Sequence, residues 1–324
     1  MFPFTRLRHF LYGSIKPAIA RFRLFRYARK IPSSRYSAQS TAEEVTDTLD
    51  LSGLTAIVTG CNSGIGYETM RILARRGAYV LGTARTYEKA EAACASIEGR
   101  TTPLTLELTD FDSINACTEQ INALGIELDI LVCNAGVLLS ESAQVHDLEM
   151  HFVTNHLGHF TLVNNLMPLL RAARAARVVV VGSSAYGKAP EGGIQFHNLN
   201  SDQNWQGGNA YFHSKLANGL FSAELARRLR GTKVTSNCVN PGIVDTNIFR
   251  HSSSSSFKDM KSVEQGAATT CYVATHPSLE SVSGYFFVDC NPAIPMDHMQ
   301  DAEMAAQLWQ VSEELVPHGR LGQG

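Results

Sequence analysis

"TGCNSGIG" at residues 59–66 follows the apolar run "LTAIV" (54–58) and opens into "YETMRILARRGAYV" (67–80). So many glycines in so short a stretch carry a large backbone-entropy cost, and a strand-to-helix passage is one place where a bare backbone has a use. In a strand–turn–helix unit the first glycine makes the tight turn and the second lets a pyrophosphate approach the main chain. The third lets the helix pack on the sheet, while free N–H groups at the helix N-terminus face the anion. Gly60, Gly64 and Gly66 stand where that arrangement needs them, with Asn62 and Ser63 inside the turn and Ile65 opening the helix.

Outward from this turn the chain alternates short β-rich runs with amphipathic stretches. Strands are expected at 54–59, 78–83, 102–108, 128–133, 177–181, 234–239 and 284–288, and helices at about 65–76, 87–97, 111–124, 147–173, 210–230 and 262–275. Continuous apolar strands separated by helices indicate a parallel sheet covered on both faces. The expected fold is therefore α/β, a single doubly wound (Rossmann) domain with a seven-stranded parallel sheet.

Composition narrows the function. Of 324 residues, 44% are hydrophobic, enough for one large domain with a substantial core. The net charge of −2 hides an asymmetry. Residues 1–42 carry nine basic side chains and no acid, which leaves 19 basic against 30 acidic over 43–324, a net −11. An acidic body argues against a nucleic-acid partner. The seven scattered cysteines form no CxxC pair and read as reduced thiols of an intracellular protein. No apolar run reaches the length of a membrane span. The basic 1–42 extension, with "RFRLFRYARK" at 21–30, fits a mitochondrial-type presequence, a segment in peripheral contact with anionic lipid through residues 1–35, or a disordered tail. Cytoplasmic, membrane-associated and mitochondrial locations all stay open on this reading.

The spacing TGxxxGIG, together with "CNAG" (133–136), "TNHLGHF" (154–160), "YFHSKLANGLFSAELARRL" (211–229), "NPGIVDT" (240–246) and the tail "GYFFVDC…LWQVS" (284–312), resembles the short-chain dehydrogenase/reductase family, in its retinol-dehydrogenase-like and WW-domain-oxidoreductase-like branch. The resemblance spans about residues 41 to 324 and implies a nicotinamide dinucleotide on the glycine turn, with 43–324 as the catalytic domain and a substrate loop at about 247–262. Discrimination between cofactors sits at the end of strand two. There the family's Asp position holds Ala84, and Arg85 follows. Arg makes bidentate, charge-assisted contacts to phosphate, so NADP(H) is the expected cofactor. Glu107 takes the position of a family Asp that contacts adenine, and Asn134, Ala135 and Gly136 match the segment along the adenosine. Pro241, Gly242 and Thr246 match the region that closes over the nicotinamide.

Tyr211 and Lys215 are four apart in a helical segment, which places both on one face. An ammonium there favours a phenolate, so the tyrosine pKa is expected to lie below its ordinary value of about 10. Family counterparts of Lys215 also hold the nicotinamide ribose. Ser184, at the carboxyl end of strand five, is the expected donor to the substrate oxygen, with Ser183 as the other choice. Asn155 matches the helical Asn whose counterparts hold a water linked to the lysine. His156, His159, His197 and His213 have no convergent carboxylate or cysteine pattern, so structural roles are expected and no metal.

The implied reaction is hydride exchange between NADP(H) and a carbonyl or alcohol of a lipophilic or medium-sized molecule, retinoid-, steroid- or aldehyde-like. "IQFHNLN" (194–200) resembles the retinol-dehydrogenase insert, whereas the polar "RHSSSSSFKDMKS" (250–262) departs from that branch and points to a more soluble substrate or a partly open pocket. A second reading is a cofactor-binding scaffold that docks through its basic N-terminus. Helices 147–173 and 210–230 resemble the family's dimer face, which makes a homodimer an expectation as well.

Overall fold

The computed structural model describes residues 31, 33–201, 207–249 and 260–317. Most of the basic extension, and positions 250–259 of the polar loop, lie outside the described residues. The strands are β1 Thr55–Thr59, β2 Tyr79–Ala84, β3 Thr101–Thr105, β4 Ile130–Cys133, β5 Ala176–Val181, β6 Val234–Asn240, β7 Phe286–Val288 and β8 Asn291–Ala293. They form one sheet in the order β8-β7-β6-β5-β4-β1-β2-β3. β1 to β7 run parallel, and β8 returns antiparallel on β7.

The main helices are α1 Ala42–Val45, α2 Gly64–Arg75, α3 Tyr87–Ala95, α4 Phe111–Ala123, a composite α5, α6 Gly207–Arg228, α7 Val263–Thr275 and α8 Ala302–Leu315. Helix α5 runs through Met150–Phe152, a π turn at Val153–Leu157 and Gly158–Ala172. Successive residues of a strand point to opposite faces, and the two cores follow that alternation. Ile57, Val178 and Val180 feed the core under α4, α5, α6 and α8. Ala56, Val58, Val179 and Val181 feed the core under α2, α3 and α7. Apolar residues on both faces explain why these strands read as unbroken hydrophobic runs.

Seven strands were expected in the sheet and, among the described residues, it has eight; a separate hairpin pairs Gln144–Val145 with Leu148–Glu149. The extra strand turns back through Asp289 and Cys290, both in the left-handed region (φ 51° and 61°). That pair lacks the Asn-Gly or Asp-Gly signature by which such a hairpin is recognised. Helix α8, beyond the last expected strand, is a further element. Its start is capped by Asp301, whose carboxylate accepts the main-chain N–H groups of Glu303 (3.0 Å) and Met304 (2.9 Å). Its Trp309 ring packs edge-on to Phe160 at 4.9 Å and stacks on Phe221 at 5.9 Å, which locks α8 against α5 and α6.

The strand order reverses between β1 and β4, since β2 and β3 lie to one side and β5 onward to the other. In open α/β sheets a crevice forms beyond the carboxyl ends of the strands at that switch point. The residues described next all gather there.

Candidate active site

The glycine turn leaves β1 and enters α2. Gly60 (φ +68°) and Gly64 (φ +58°) occupy conformations that L side chains rarely adopt. A Cβ on Gly60 would stand 2.9 Å from the Ala135 Cβ, and one on Gly66 would run into the Gly60 carbonyl and the Asn134 amide. Ser63 occupies the N-cap of α2, yet its side chain makes no capping bond. The first-turn N–H groups are thus left for another acceptor at the mouth of a crevice of about 340 Å³. Asn134 fixes the far wall: its Nδ2 donates to the Thr59 carbonyl at 2.8 Å, and the N–H groups of Asn134 and Ala135 both donate to Thr59 Oγ1 at 2.9 Å. The tie from Thr59 continues to His159 Nε2 at 2.9 Å.

Gly60, Asn62, Ser63, Gly64, Ile65 and Gly66 all line this crevice. So do Arg85, Glu107, Asn134, Ala135 and Gly136. Arg85 is exposed at its edge, and among the described residues no carboxylate pairs with it. The Glu107 carboxylate is already engaged, accepting the N–H (3.1 Å) and hydroxyl (3.0 Å) of Thr109. Through its Oε1 it braces its own loop. Beyond β6, Gly242 (φ +90°) turns the chain, and Asn240 Oδ1 accepts the N–H groups of Gly242 (3.2 Å) and Ser184 (3.1 Å). Thr246 packs on the glycine turn, with its Cγ2 3.2 Å from where a Cβ on Gly64 would lie. Pro241, Gly242 and Thr246 complete the wall. Thr59 and Asn240 were not singled out in the sequence; their places inside "TGCNSGIG" and "NPG" are the signals that mark them.

Tyr211 and Lys215 stand one turn apart on α6, both buried, and both reach the crevice. The Lys215 Nζ lies 5.7 Å from the Tyr211 ring centroid and donates to the Val181 carbonyl at 3.0 Å. Burial lowers the Lys215 pKa to about 8. Burial also raises the Tyr211 pKa to about 12, against which its hydrogen bond with Ser183 pulls down. The expectation that the ammonium depresses the phenol is therefore not met. Enclosure disfavours the charged form of each group, and the ammonium is turned to a backbone carbonyl rather than to the phenol. Tyr211 holds its proton throughout the physiological range.

Of the two serines, it is Ser183 whose hydroxyl acts on the Tyr211 phenol, drawing its pKa down. Ser183 is the last extended residue before a 3₁₀ turn at Ser184–Lys188, and its Oγ also accepts the Ala185 N–H at 3.1 Å. Ser184 lines the crevice beside it. Asn155 sits behind the wall, inside the π turn of α5, a feature often found at functional sites. Its Oδ1 accepts the Val137 N–H at 2.8 Å, and its Nδ2 donates to the Val137 carbonyl (3.2 Å) and to Ser214 Oγ (3.0 Å). A Cβ on Gly136 would lie 3.1 Å from Asn155 Oδ1 and 3.7 Å from Lys215 Nζ, which places all three together. Three of the histidines are buried struts. His156 meets Ser312 Oγ at 2.8 Å, His159 meets Thr59, and His213 accepts the Gln195 N–H at 3.0 Å. Burial lowers their pKa values to about 3, 4 and 3.

The family model described as short chain dehydrogenase matches residues 54–256. The chain belongs to that family. Among its relatives, the short-chain dehydrogenase TIC 32 B, chloroplastic, of Brassica napus is 39% identical over 307 residues, covering 89% of this chain and 96% of the relative. Human retinol dehydrogenase 11 is 39% identical over 283 residues, covering 84% and 88%. These similarities place the chain in the retinol-dehydrogenase-like branch. Among solved structures, an uncharacterized protein from Mycobacterium paratuberculosis superposes with a TM-score of 0.69 at 32% identity, covering 84% of this chain and 96% of its own. A short-chain dehydrogenase from Burkholderia cenocepacia in complex with NADP has a TM-score of 0.58 at 25% identity, covering 74% and 96%. Short-chain dehydrogenases are oxidoreductases that bind nicotinamide cofactors. The uncapped helix start, the close-packed glycine turn and Arg85, with which no carboxylate pairs among the described residues, fit such a group. Among the described residues no helix is long and apolar enough to cross a membrane.

Proposed function

We propose that this short-chain dehydrogenase is an NADP(H)-dependent oxidoreductase of lipophilic or medium-sized carbonyls and alcohols. The observation that carries the reading is the joining, in one crevice, of Arg85 at one end with Tyr211, Lys215 and the two serines at the other. The glycine turn and the N-terminus of α2 hold the pyrophosphate, Arg85 the 2′-phosphate, and Asn134 to Gly136 the adenosine side. Lys215, Pro241, Gly242 and Thr246 hold the nicotinamide end. The nicotinamide, when bound, supplies or takes the hydride at the substrate carbon.

The remaining chemistry belongs to the chain. In the reduction direction Tyr211, protonated at neutral pH, gives its proton to the oxygen that gains charge. A serine hydroxyl donates to the same oxygen, which is the stabilisation an oxyanion needs; Ser183 and Ser184 both line the crevice. The Lys215 ammonium stands one turn along α6 with its Nζ 5.7 Å from the Tyr211 ring centroid, and Asn155 keeps the loop beside that ammonium in place. Leu138, Leu139, Phe212, Ile243 and Ile248 add apolar side chains to the crevice lining, which supports a lipophilic substrate. The full set of proton-handling groups supports the enzyme over the scaffold reading.

A screen of NADPH consumption over retinals, steroids, quinones and aliphatic aldehydes tests this. Turnover with at least one class is expected, and none with any class would refute it. The proposal also fixes a pH dependence. In the free protein Lys215 carries its charge below about 8 and loses it above. An anionic cofactor favours the charged form, so NADPH affinity is expected to be flat below that pH and to weaken as pH rises through it. Lys215→Met should abolish the inflection in a fluorescence titration.

A further inference from the structure

His151 and Asn155 are one turn apart on α5, and both reach the same stretch of chain, 136–139, which leaves β4 and walls the crevice. Asn155 takes Val137 by both main-chain groups. Two residues on, the Leu139 N–H donates to His151 Nε2 at 2.9 Å. Only an unprotonated ring nitrogen can accept that bond, so the ring proton sits on Nδ1, which donates to Glu149 Oε1 at 2.7 Å. The other carboxylate oxygen of Glu149 accepts the N–H groups of His151 (2.8 Å) and Phe152 (3.1 Å).

Glu149 and His151 are 1% and 0% exposed. A buried carboxylate is costly unless its oxygens are satisfied, and here three donors meet it at a helix start. The same imidazole lies edge-on to the Tyr211 ring, with centroids 6.1 Å apart and planes at 72°. One side chain thus touches both the crevice wall and the ring proposed to carry the proton.

We infer that Glu149 and His151 are positioning residues of this dehydrogenase. Glu149 fixes the tautomer and orientation of His151. His151 then holds Leu139 from one end while Asn155 holds Val137 from the other, and it braces the Tyr211 ring against this segment of the crevice wall. A misplacement of about 1 Å at a reacting centre costs roughly 10²-fold in rate, which is the scale on which such a brace matters. The inference rests on the function proposed above. The competing explanation is a buried pair that serves folding alone.

The test compares the wild type with His151→Phe, which keeps a ring but removes the acceptor, and His151→Gln, which keeps an acceptor without the ring. His151→Leu stands in for His151→Phe if that variant does not fold. Two quantities are read. The first is hydrogen exchange of the 136–142 amides in the protein without added ligand. The second is kcat and NADPH KM per site titrated with cofactor. In His151→Phe the Leu139 amide is expected to exchange at least about tenfold faster, with kcat down about 30-fold, whereas His151→Gln should keep the amide protected and stay within about fivefold of wild-type kcat. A role in folding alone would lower the melting temperature of both variants and leave kcat per titrated site unchanged; that result, or wild-type exchange at Leu139 in His151→Phe, overturns the inference. Failure of the functional reading looks different, since the wild type then turns over no carbonyl while the exchange contrast persists.

Discussion

Tyr211→Phe is expected to lower NADPH-dependent carbonyl reduction by about 10²- to 10⁴-fold, the range that a positioned general acid supplies. Phenylalanine keeps the ring, its edge contact with His151 and its burial on α6. It removes only the hydroxyl. NADPH affinity should stay within about threefold, because an interaction made in the transition state leaves ground-state binding untouched. Since burial holds the phenol at about 12, the wild-type rate of reduction should show no inflection from this group between pH 6 and 9. Activity at the wild-type level in the variant would mean that another group donates the proton.

Arg85→Asp is expected to reverse the cofactor preference. The guanidinium stands exposed at the crevice edge beyond Ala84, with no carboxylate paired to it among the described residues. Hydrogen bonds to charged groups contribute about 1.5–3 kcal/mol each, so losing the phosphate contact raises the NADPH KM by roughly 10- to 100-fold. The introduced carboxylate adds repulsion to a 2′-phosphate and offers an acceptor to a free ribose hydroxyl, so the NADH KM should fall or stay within about threefold. Parallel saturation curves with the two cofactors measure both. An unchanged ratio would remove Arg85 from cofactor selection.

How much of this was legible in the sequence depended on whether chemistry or tertiary enclosure set the feature. The glycine turn and the Tyr211–Lys215 spacing were legible because a dinucleotide and a proton donor each demand particular residue types at fixed separations. The layered α/β fold was legible because strands buried on both faces leave continuous apolar runs. β8 was not, since its turn places Asp289 and Cys290 in left-handed conformations that neither residue advertises. Helix α8 had a readable cap in Asp301 and an apolar stripe, but it lay past the last expected strand.

The direction of the Tyr211 shift was not legible either. Spacing along α6 fixes which side chains share a face, but the enclosure by α5 and the 136–139 segment decides how much water reaches them. Nor does sequence say which of two adjacent serines turns its hydroxyl to the tyrosine. The extended Ser183 and the 3₁₀ turn that begins at Ser184 decide that. The Glu149–His151 pair escaped notice because neither residue belongs to a motif by itself; only the return of 136–139 past α5 brings a Leu139 N–H to the imidazole.

Every role proposed above requires a dinucleotide lying along the glycine turn with its nicotinamide beside Tyr211. A crystal structure of the protein with NADP and a slowly reacting ketone tests that directly. The pyrophosphate is expected on the Gly64–Gly66 N–H groups, the 2′-phosphate on Arg85, and the ketone oxygen within hydrogen-bonding reach of the Tyr211 hydroxyl and one of the two serines. A cofactor bound elsewhere, or a ketone oxygen turned away from that phenol, would contradict it.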